Sequence, residues 1–352
     1  MNSNYKIIKL TTPWKSKFLY NTIDNPNLYL SQTPGGNGIY GDYKFEVNND
    51  ISECDYWFIY GGLTLGELKQ KVKCPIENIF YITDEVHCNR FYVKKFLDQF
   101  PNVVTCRTDI HHRNVINYHE LLIWYLHKSY DEIANTTTIE KTKKLCIINS
   151  NLVETPLQRT RYELTHKLIG HFKDKIDVFG RGHQTFTDKW DILKNYKYSV
   201  AIENTVQYGY FTEKIAECFL THTYPLYYGC PNIADYFDTR AFTTIDVNDY
   251  KTCIRQIEEV IEEDLYEEKA ATIQEQKYKY LNQYHLFPGI INLIQLHGNS
   301  NTVAKWKTIY TEEYFKRLYW MKRFIQVINN RKISEKYKFN INLYVDGDYA
   351  NK

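Results

Sequence analysis

The sequence has no long apolar run, little net charge and no paired-cysteine motif. No segment approaches the ~18 consecutive apolar residues that suggest a transmembrane helix, and Met1–Lys15 has no secretory signature. The 352 residues carry a formal net charge of +2, so overall charge gives no support for nucleic-acid binding. The eight cysteines include no C-x-x-C pair, and His119-Glu120 fails the H-E-x-x-H pattern because residue 123 is Ile. We therefore expect no metal site. No G-x-G-x-x-G follows a predicted strand, which argues against a Rossmann dehydrogenase.

The chain is long enough for two domains and has enough apolar residues for two cores. It is 43% hydrophobic, and a length of 352 residues predicts two domains at about 150 residues each. The polar, Thr-rich stretch Asp131–Lys143 predicts a linker between them. In the first half the residue patterns predict strands at Tyr5–Leu10, Tyr56–Tyr60, Asn78–Thr83 and Val103–Cys106, and helices after Leu65, near Phe91–Phe100 and around Tyr118–Leu126.

The second half alternates between strand and helix patterns. The predicted strands are Lys144–Ile148, Ile176–Phe179, Tyr198–Glu203, Tyr224–Tyr228 and Phe242–Ile245, and the predicted helices are Pro156–Phe172, Glu213–Leu220 and the long stretch Val247–Gln283. Such alternation predicts a parallel sheet with ligands bound at the carboxyl ends of its strands.

Two predicted helices begin with features of an anion site. Thr212 is a suitable N-cap before Glu213, whereas Lys214 is a cation at the end of a helix where the dipole disfavours one. An ammonium beside free N–H groups strengthens a phosphate site, although a solvated pair with Glu213 is the alternative. Thr155 and Pro156 begin the other helix, whose apolar stripe contains Arg161. Arg161 must therefore either extend outward to solvent or bind a buried anion.

A third motif is the turn Gly180-Arg181-Gly182 after a predicted strand. Its glycines let backbone N–H groups approach a ligand closely, and Arg181 adds positive charge. This motif is weak by itself, because many tight turns have the same composition.

Taken together, residues 143–285 resemble glycosyltransferase family 10, the α1,3/α1,4-fucosyltransferases, in the branch of bacterial Lewis-type and surface-polysaccharide enzymes. The matching segments are Asp177–Gly182, Tyr196–Tyr198, Ile202–Thr205, Gly209–Lys214 and Pro225–Pro231. Tyr198, Thr205 and Phe211 depart conservatively from the family pattern.

The resemblance implies an α/β GT-B fold, in which two Rossmann-like domains enclose an interdomain active site. For this chain we expect an acceptor-binding domain at residues 1–140, a GDP-sugar-binding domain at 141–300 and a C-terminal helical tail at 301–352. The resemblance also implies an inverting transferase that uses GDP-β-L-fucose as donor substrate and requires no cofactor. Among the implied site residues, Arg161 and Lys214 bind the diphosphate and Glu213 binds a donor hydroxyl. Asn204, Tyr210, Tyr208 and Arg181 line the donor pocket.

The general base is expected in the first half, where a predicted strand ends in two acids. The family's base is a glutamate at a similar strand end, so the resemblance implies Glu85, with Asp84 as the alternative. A turn acid that caps the next helix remains a competing interpretation.

The implied partners are a GDP-sugar donor and a glycan acceptor such as lipopolysaccharide or another surface glycan. Without the signal anchor of Golgi fucosyltransferases, the chain is expected to be bacterial or viral and cytoplasmic. The basic, amphipathic segment Glu313–Lys338 could contact the inner membrane face, although docking on the protein itself is favoured. Two alternatives stay open, namely transfer of another GDP-sugar and a catalytically silent glycan-binding protein.

Overall fold

A computed structural model describes residues 5–13, 28–85, 90–300 and 302–333, with side chains except for residues 28 and 324–333. The first eight strands are β1 (Lys6–Thr11), β2 (Ile39–Tyr40), β3 (Tyr43–Val47), β4 (Tyr56–Tyr60), β5 (Lys69–Pro75), β6 (Ile79–Ile82), β7 (Asn102–Thr105) and β8 (Val115–Asn117). The helices of this half are α1 (Leu28–Ser31), α2 (Lys94–Leu97) and α3 (Tyr130–Asn135). Seven of the strands form one sheet in the order β2-β3-β1-β4-β6-β7-β8, which is parallel except for the β2–β3 pair.

A second, fully parallel sheet follows in the order β10-β9-β11-β12-β13. Its strands are β9 (Lys143–Ile148), β10 (Asp177–Phe179), β11 (Tyr196–Ile202), β12 (Tyr224–Tyr228) and β13 (Thr243–Thr244). Its helices are α4 (Pro156–Phe172), α5 (Lys189–Leu193), α6 (Glu213–Leu220), α7 (Tyr250–Glu263) and α8 (Tyr266–Lys279). Short 3₁₀ turns in the two halves lie at Pro34–Gly36, Ile76–Asn78, Lys173–Lys175, Ile233–Asp235 and Thr239–Ala241.

Buried strands and capped helices explain why these elements form. All five residues of β4 are buried, as expected for a parallel strand covered on both faces. Helix α4 has Pro156 in its first turn and a complete capping box between Thr155 and Gln158. Thr212 caps α6 by accepting a hydrogen bond from the Lys214 amide. The predicted bounds of β4, β12, α4 and α6 are therefore confirmed.

Two chain segments cross between the sheets. In the segment after β8, Leu121 and Ile123 pack in the core of the first domain, whereas Trp124 and Leu126 pack in the core of the second. The return crossing is a π-helical turn, Tyr280–Tyr284, followed by α9 (Leu286–His297). Gln32 ties the two crossings together, because its side chain bonds the Trp124 carbonyl oxygen at 2.8 Å and His285 Nε2 at 2.9 Å.

The end of the described chain also belongs to the first domain. Strand β14 (Ala304–Tyr310) pairs antiparallel with β5, and α10 (Glu312–Ile333) follows it. Residues of α9, including Phe287 and Ile290, lie in the core of the first domain. The expected domain limits therefore change in two places. Helix α9 falls within the expected 141–300 domain but packs in the first domain, and strand β14 falls within the expected helical tail 301–352. The segment beyond Ile333, with the rest of that tail, lies outside the described residues.

Several predicted elements are wrong. The chain after Leu65 forms strand β5 instead of a helix, and Tyr118–Leu126 is not helical because its apolar residues serve two cores. The predicted linker Asp131–Lys143 is helical as far as Asn135. The stretch Val247–Gln283 is divided into α7 and α8 where Asp264 adopts a left-handed conformation with φ of 42°. Helices α5 and α9 and strand β14 were not predicted. None of the helices in the described ranges is long and apolar enough to span a bilayer.

Candidate active site

The candidate site lies where the strand order of the second sheet reverses. From β9 the chain moves outward to β10 and then returns to the other side of β9 with β11. Ligands of open parallel sheets bind in the crevice at such a switch point, beyond the carboxyl ends of the strands. Here α4, which follows β9, faces the loop that follows β11. This loop, residues 204–212, is called the 204–212 loop below.

Arg161 projects from α4 into this crevice and does not extend outward to solvent. It is 7% exposed, and its NH1 donates to the Ile202 carbonyl at 3.2 Å and to Asn204 Oδ1 at 3.0 Å. Its Nε is buried without a hydrogen-bond partner, and Arg161 forms no ion pair within the described part of the chain. Burial lowers the pKa of this guanidinium, although the charges of Glu203 and Glu213 oppose that effect. The crevice thus contains a buried cation with an unused donor.

Glu203 is buried beneath the start of α6 and contacts the first residues of that helix. It is 0% exposed and accepts hydrogen bonds from the Thr212 amide at 2.8 Å, the Thr212 hydroxyl at 2.6 Å and the Tyr227 hydroxyl at 3.4 Å. Lys214 Nζ lies 3.5 Å from Glu203 Oε2 and 3.1 Å from Thr212 Oγ1. Burial raises the pKa of Glu203, while the Lys214 charge lowers it. Glu203 belongs to the matching segment Ile202–Thr205, but the sequence alone predicts no role for it. Its position directly after a buried strand is the feature that could have marked it as a site residue.

Glu213 lies between two lysines at the same helix start. Its Oε1 is 3.0 Å from Lys214 Nζ and 3.9 Å from Lys189 Nζ, and Lys189 also pairs with Glu217 at 2.8 Å. Burial disfavours its charge, but Lys214 and Lys189 together hold the pKa of Glu213 below its usual range. Glu213 is thus an ionised acceptor at the mouth of the crevice. Nothing in the sequence signalled Lys189, which reaches the site from the unpredicted helix α5.

The other predicted residues are placed differently around this centre. Tyr210 is buried, and its pKa is raised by burial and by the charges of Glu203, Glu120, Glu213 and Glu85. Acidic residues of both domains therefore contribute to the electrostatic environment of the Tyr210 phenol. Tyr208 is 68% exposed on the 204–212 loop. Arg181 is exposed on the turn after β10, at the same sheet edge, and its carbonyl oxygen accepts from the Asn151 amide at 3.0 Å.

The acidic pair of the first domain follows β6, at the carboxyl edge of the first sheet. Asp84 accepts from Arg90 NH1 at 2.6 Å and from the Tyr92 hydroxyl at 2.6 Å. Its side chain is 4% exposed, and burial raises its pKa against the effect of Arg90. Glu85 is exposed, and its carbonyl oxygen accepts from Arg107 at 3.0 Å. Asp84 is therefore committed to an ion pair with Arg90.

Glu120 is a further acid at this edge, and in the sequence it stands out only as part of the failed H-E-x-x-H pattern. It follows β8, is 6% exposed and bonds across the domains from its amide to the Gly209 carbonyl at 3.0 Å. No local sequence pattern marks it as a site residue, because its partners are distant in the chain. No three His, Cys, Asp or Glu side chains in the described ranges are grouped to hold a metal.

Comparison with known proteins locates this crevice within a recognised domain. Residues 138–278 match the family model described as "Glycosyltransferase family 10 (fucosyltransferase) C-term". The matched residues are thus similar to the C-terminal domain of family 10 enzymes, which confirms the resemblance noted in the sequence. They include Arg161, Asn204, Glu213 and Lys214.

Two curated proteins match within shorter stretches. The α-(1,3)-fucosyltransferase FucT of Helicobacter pylori is 41% identical over 64 residues, and a putative fucosyltransferase-like protein of Arabidopsis thaliana is 38% identical over 65 residues. Each match covers 18% of this chain, and the chain spans only 13% of the length of each relative.

Solved structures give a weaker comparison. A crystal structure of an α1,3-fucosyltransferase with GDP-fucose has a TM-score of 0.49 and 15% identity, covering 85% of this chain and 92% of that one. TarM of S. aureus has a TM-score of 0.43 and 11% identity, covering 69% and 55%. The GT-B architecture follows from the two largely parallel sheets, each with its own core, and from the two segments that cross between them.

Proposed function

We propose that the chain is an inverting fucosyltransferase, which transfers L-fucose from GDP-β-L-fucose to a hydroxyl of a glycan acceptor. The observation that carries this proposal is Arg161, a buried cation whose Nε has no partner and which faces the crevice beside Lys214. A buried charge is costly unless it is paired, and a diphosphate supplies both negative charge and acceptor oxygens. The match of residues 138–278 to the fucosyltransferase family model supports fucose as the transferred sugar.

The proposed donor contacts follow from the charges around the crevice. Arg161 and Lys214 hold the diphosphate, and the amides at the start of α6 add hydrogen-bond donors. Glu213, whose pKa is kept low by two lysines, accepts hydrogen bonds from a donor hydroxyl. Asn204 and Tyr210 line the pocket, whereas the exposed Tyr208 and Arg181 form its outer rim. No cofactor has a part in this proposal.

The proposed chemistry needs stabilisation of the leaving group and a base. As the sugar bond breaks, negative charge develops on the β-phosphate oxygens, and two fixed cations stabilise that charge. The attacking hydroxyl gives its proton to a carboxylate. We assign this role to Glu85, the exposed acid after β6 and the position that the family resemblance implies. Glu85 and Glu213 both contribute to the field at Tyr210, which supports an active site shared by the two domains.

Calorimetry with nucleotides tests the donor assignment. GDP-fucose and GDP should bind, UDP-glucose should not, and Arg161→Ala should weaken binding about tenfold or more while Arg159→Ala should not. Arg159 is the matched control because it is exposed on the same helix. Equal affinity for GDP-mannose would favour transfer of another GDP-sugar. Absence of guanine-nucleotide binding would refute the donor site and favour a glycan-binding protein.

We further propose that α10 brings the enzyme to an anionic membrane surface, where lipid-linked acceptors such as lipopolysaccharide precursors are found. The start of α10 is docked on the protein, since Glu312 accepts from the Val93 amide at 2.9 Å and Phe315 packs near Phe96. No described part of the chain covers the next turn, where Tyr319, Trp320 and Met321 are 44%, 61% and 52% exposed. Exposed aromatic residues among lysines and arginines suit the lipid–water interface.

Vesicle co-sedimentation tests this contact. Binding should require anionic lipid and should fall several-fold in Trp320→Ala. Trp306→Ala is the matched control, because Trp306 is also exposed but lies on β14. Equal binding of both variants, or no binding to anionic vesicles, would contradict membrane contact through α10.

A further inference from the structure

The 204–212 loop is attached to the first domain at a small, well-defined contact. The Glu120 amide donates to the Gly209 carbonyl at 3.0 Å, and Gln207 Nε2 donates to the Cys106 carbonyl at 2.9 Å. Gly209 has a φ of 71°, and a Cβ there would lie 3.3 Å from Cys106 Cβ. The backbones of the two domains thus approach each other closely at this loop, and the loop position depends on residues of the first domain.

Side chains continue this contact into the interior. Gln207 Nε2 lies 3.1 Å from Cys106 Sγ, and the Cys106 thiol donates to Glu120 Oε2 at 3.5 Å. The other carboxyl oxygen, Oε1, is buried without a hydrogen-bond partner in the described part of the chain. A thiol is a weak donor, so this pocket solvates a carboxylate poorly but accommodates a neutral carboxylic acid. In agreement, burial raises the pKa of Glu120 to about 8.

The groups that face Glu120 do not compensate its negative charge. Asp84 and Glu85 are two further acids on the same side, and Arg107 is the cation among the described groups that face it. The donors of Arg107 are already used by the Asp109 carboxylate and by the carbonyls of Glu85 and Arg90. The neutral or weakly acidic groups around Glu120 are Tyr60, Cys106, His119 and Tyr210.

We propose that Glu120 is a positioning residue, which holds the 204–212 loop against the first domain because its carboxyl group accepts from Cys106 and its amide donates to Gly209. Loss of its proton introduces a third carboxylate beside Asp84 and Glu85 and loosens the loop. This inference rests on the proposed function, because the loop carries Asn204 and Tyr210 and leads into Lys214. Glu120 acts through the loop and does not itself contact the donor.

Nucleotide binding at two pH values tests this role. In the wild type, GDP affinity should fall about tenfold between about pH 7 and about pH 9, because Glu120 ionises within that interval. Glu120→Gln, which is neutral at both pH values, should bind as the wild type does at pH 7 and lose less than about twofold at pH 9. Glu120→Ala should bind about tenfold more weakly at both, since the buried bond is lost. Glu77→Gln, an exposed first-domain glutamate, is the matched control and should follow the wild type.

Hydrogen exchange gives a readout that needs no ligand. After correction for intrinsic rates, peptides that cover residues 118–122 and 205–211 should lose about tenfold protection at the higher pH in the wild type but not in Glu120→Gln. Cys106→Ala, which interrupts the side-chain link, should exchange faster at both pH values.

Three outcomes would overturn the inference. The first is the same pH dependence in Glu120→Gln and the wild type. The second is unchanged exchange in Cys106→Ala. The third is a loss of more than about 100-fold in kcat for Glu120→Gln at pH 7, which would mean that Glu120 works as an ionised base. Absence of GDP binding together with pH-dependent exchange would refute the proposed function but support the loop contact.

Discussion

Replacement of Arg161 by methionine separates ligand binding from folding. Methionine keeps the length and helix propensity of the side chain but removes the charge and all the N–H donors. Arg161 has two neutral hydrogen bonds, to Ile202 and Asn204, and no carboxylate partner in the described structure. Their loss should cost about 1 kcal/mol each, and removal of the buried charge and its unused Nε should return a similar amount. The free energy of unfolding without ligand should therefore change by no more than about 1 kcal/mol.

Binding should respond much more strongly. A charge-assisted hydrogen bond to phosphate contributes about 1.5–3 kcal/mol, so Arg161→Met should weaken GDP binding by a factor of about 10 to 150. Turnover should fall further, by about 100-fold or more, because the charge on the leaving phosphate is larger in the transition state.

Thermal unfolding with and without GDP measures both effects on one sample. At 100 times its dissociation constant, GDP should stabilise the wild type and Arg159→Met by about 2.7 kcal/mol. The same GDP concentration should give Arg161→Met about half of that stabilisation or less. Breaking a buried structural ion pair costs about 3–5 kcal/mol. If Arg161→Met lost that much stability and still bound GDP normally, Arg161 would be a structural residue and the reasoning would be wrong.

Two further predictions concern the neighbouring groups. Gly229→Ala should destabilise the fold by about 1–3 kcal/mol in urea unfolding, because its Cβ would lie 2.3 Å from Glu203 Cγ. Gly170→Ala meets open space within a helix and should instead stabilise by about 0.5–1 kcal/mol, so a loss at both positions would contradict this account. In transfer assays Glu85→Gln should lower kcat by more than about 100-fold with little change in stability. Asp84→Asn should chiefly lower stability, and the reverse pattern would exchange the two roles.

Because Glu120 is protonated in the folded protein, we also expect the free energy of unfolding to depend on pH. The pKa of Glu120 is raised from 4.5 to about 8, so the folded protein keeps a proton that the unfolded chain loses. The stability that Glu120 contributes is thus complete below about pH 4.5 and is lost as the pH rises to about 8. Relative to Glu120→Gln, the wild type should lose up to about 5 kcal/mol over this interval. Parallel unfolding curves for the two proteins from pH 5 to pH 8 would contradict the prediction.

Local sequence signals predicted the second domain well. Helix α4 and the cap of α6 follow from Thr155, Pro156 and Thr212, whose effects act within one helical turn. The same short-range signals indicated Arg161 and Lys214, because a cation on an apolar stripe or at a helix start is unusual. They left open whether Arg161 reaches solvent, since that depends on how α4 packs against β11.

The first domain was harder to predict because distant segments determine its structure. Strand β5 forms where a helix was predicted, since it pairs with β14 more than two hundred residues later. Leu121 and Trp124 lie in different cores, so their spacing does not report a single helix face. Glu120 was missed for a related reason, because its partners Cys106 and Gly209 come from two domains.

The return of α9 and β14 to the first domain has a consequence for biosynthesis. The core of that domain includes Phe287 and Ile290, and β5 cannot pair until β14 has left the ribosome. At about 5–20 residues per second, the ribosome needs on the order of 10 to 50 seconds to translate the chain between β5 and β14. The second domain, by contrast, has all five strands of its sheet within Lys143–Thr244. The domain that begins later in the sequence can therefore fold first, and the first domain is completed only after α9 and β14 have been synthesised.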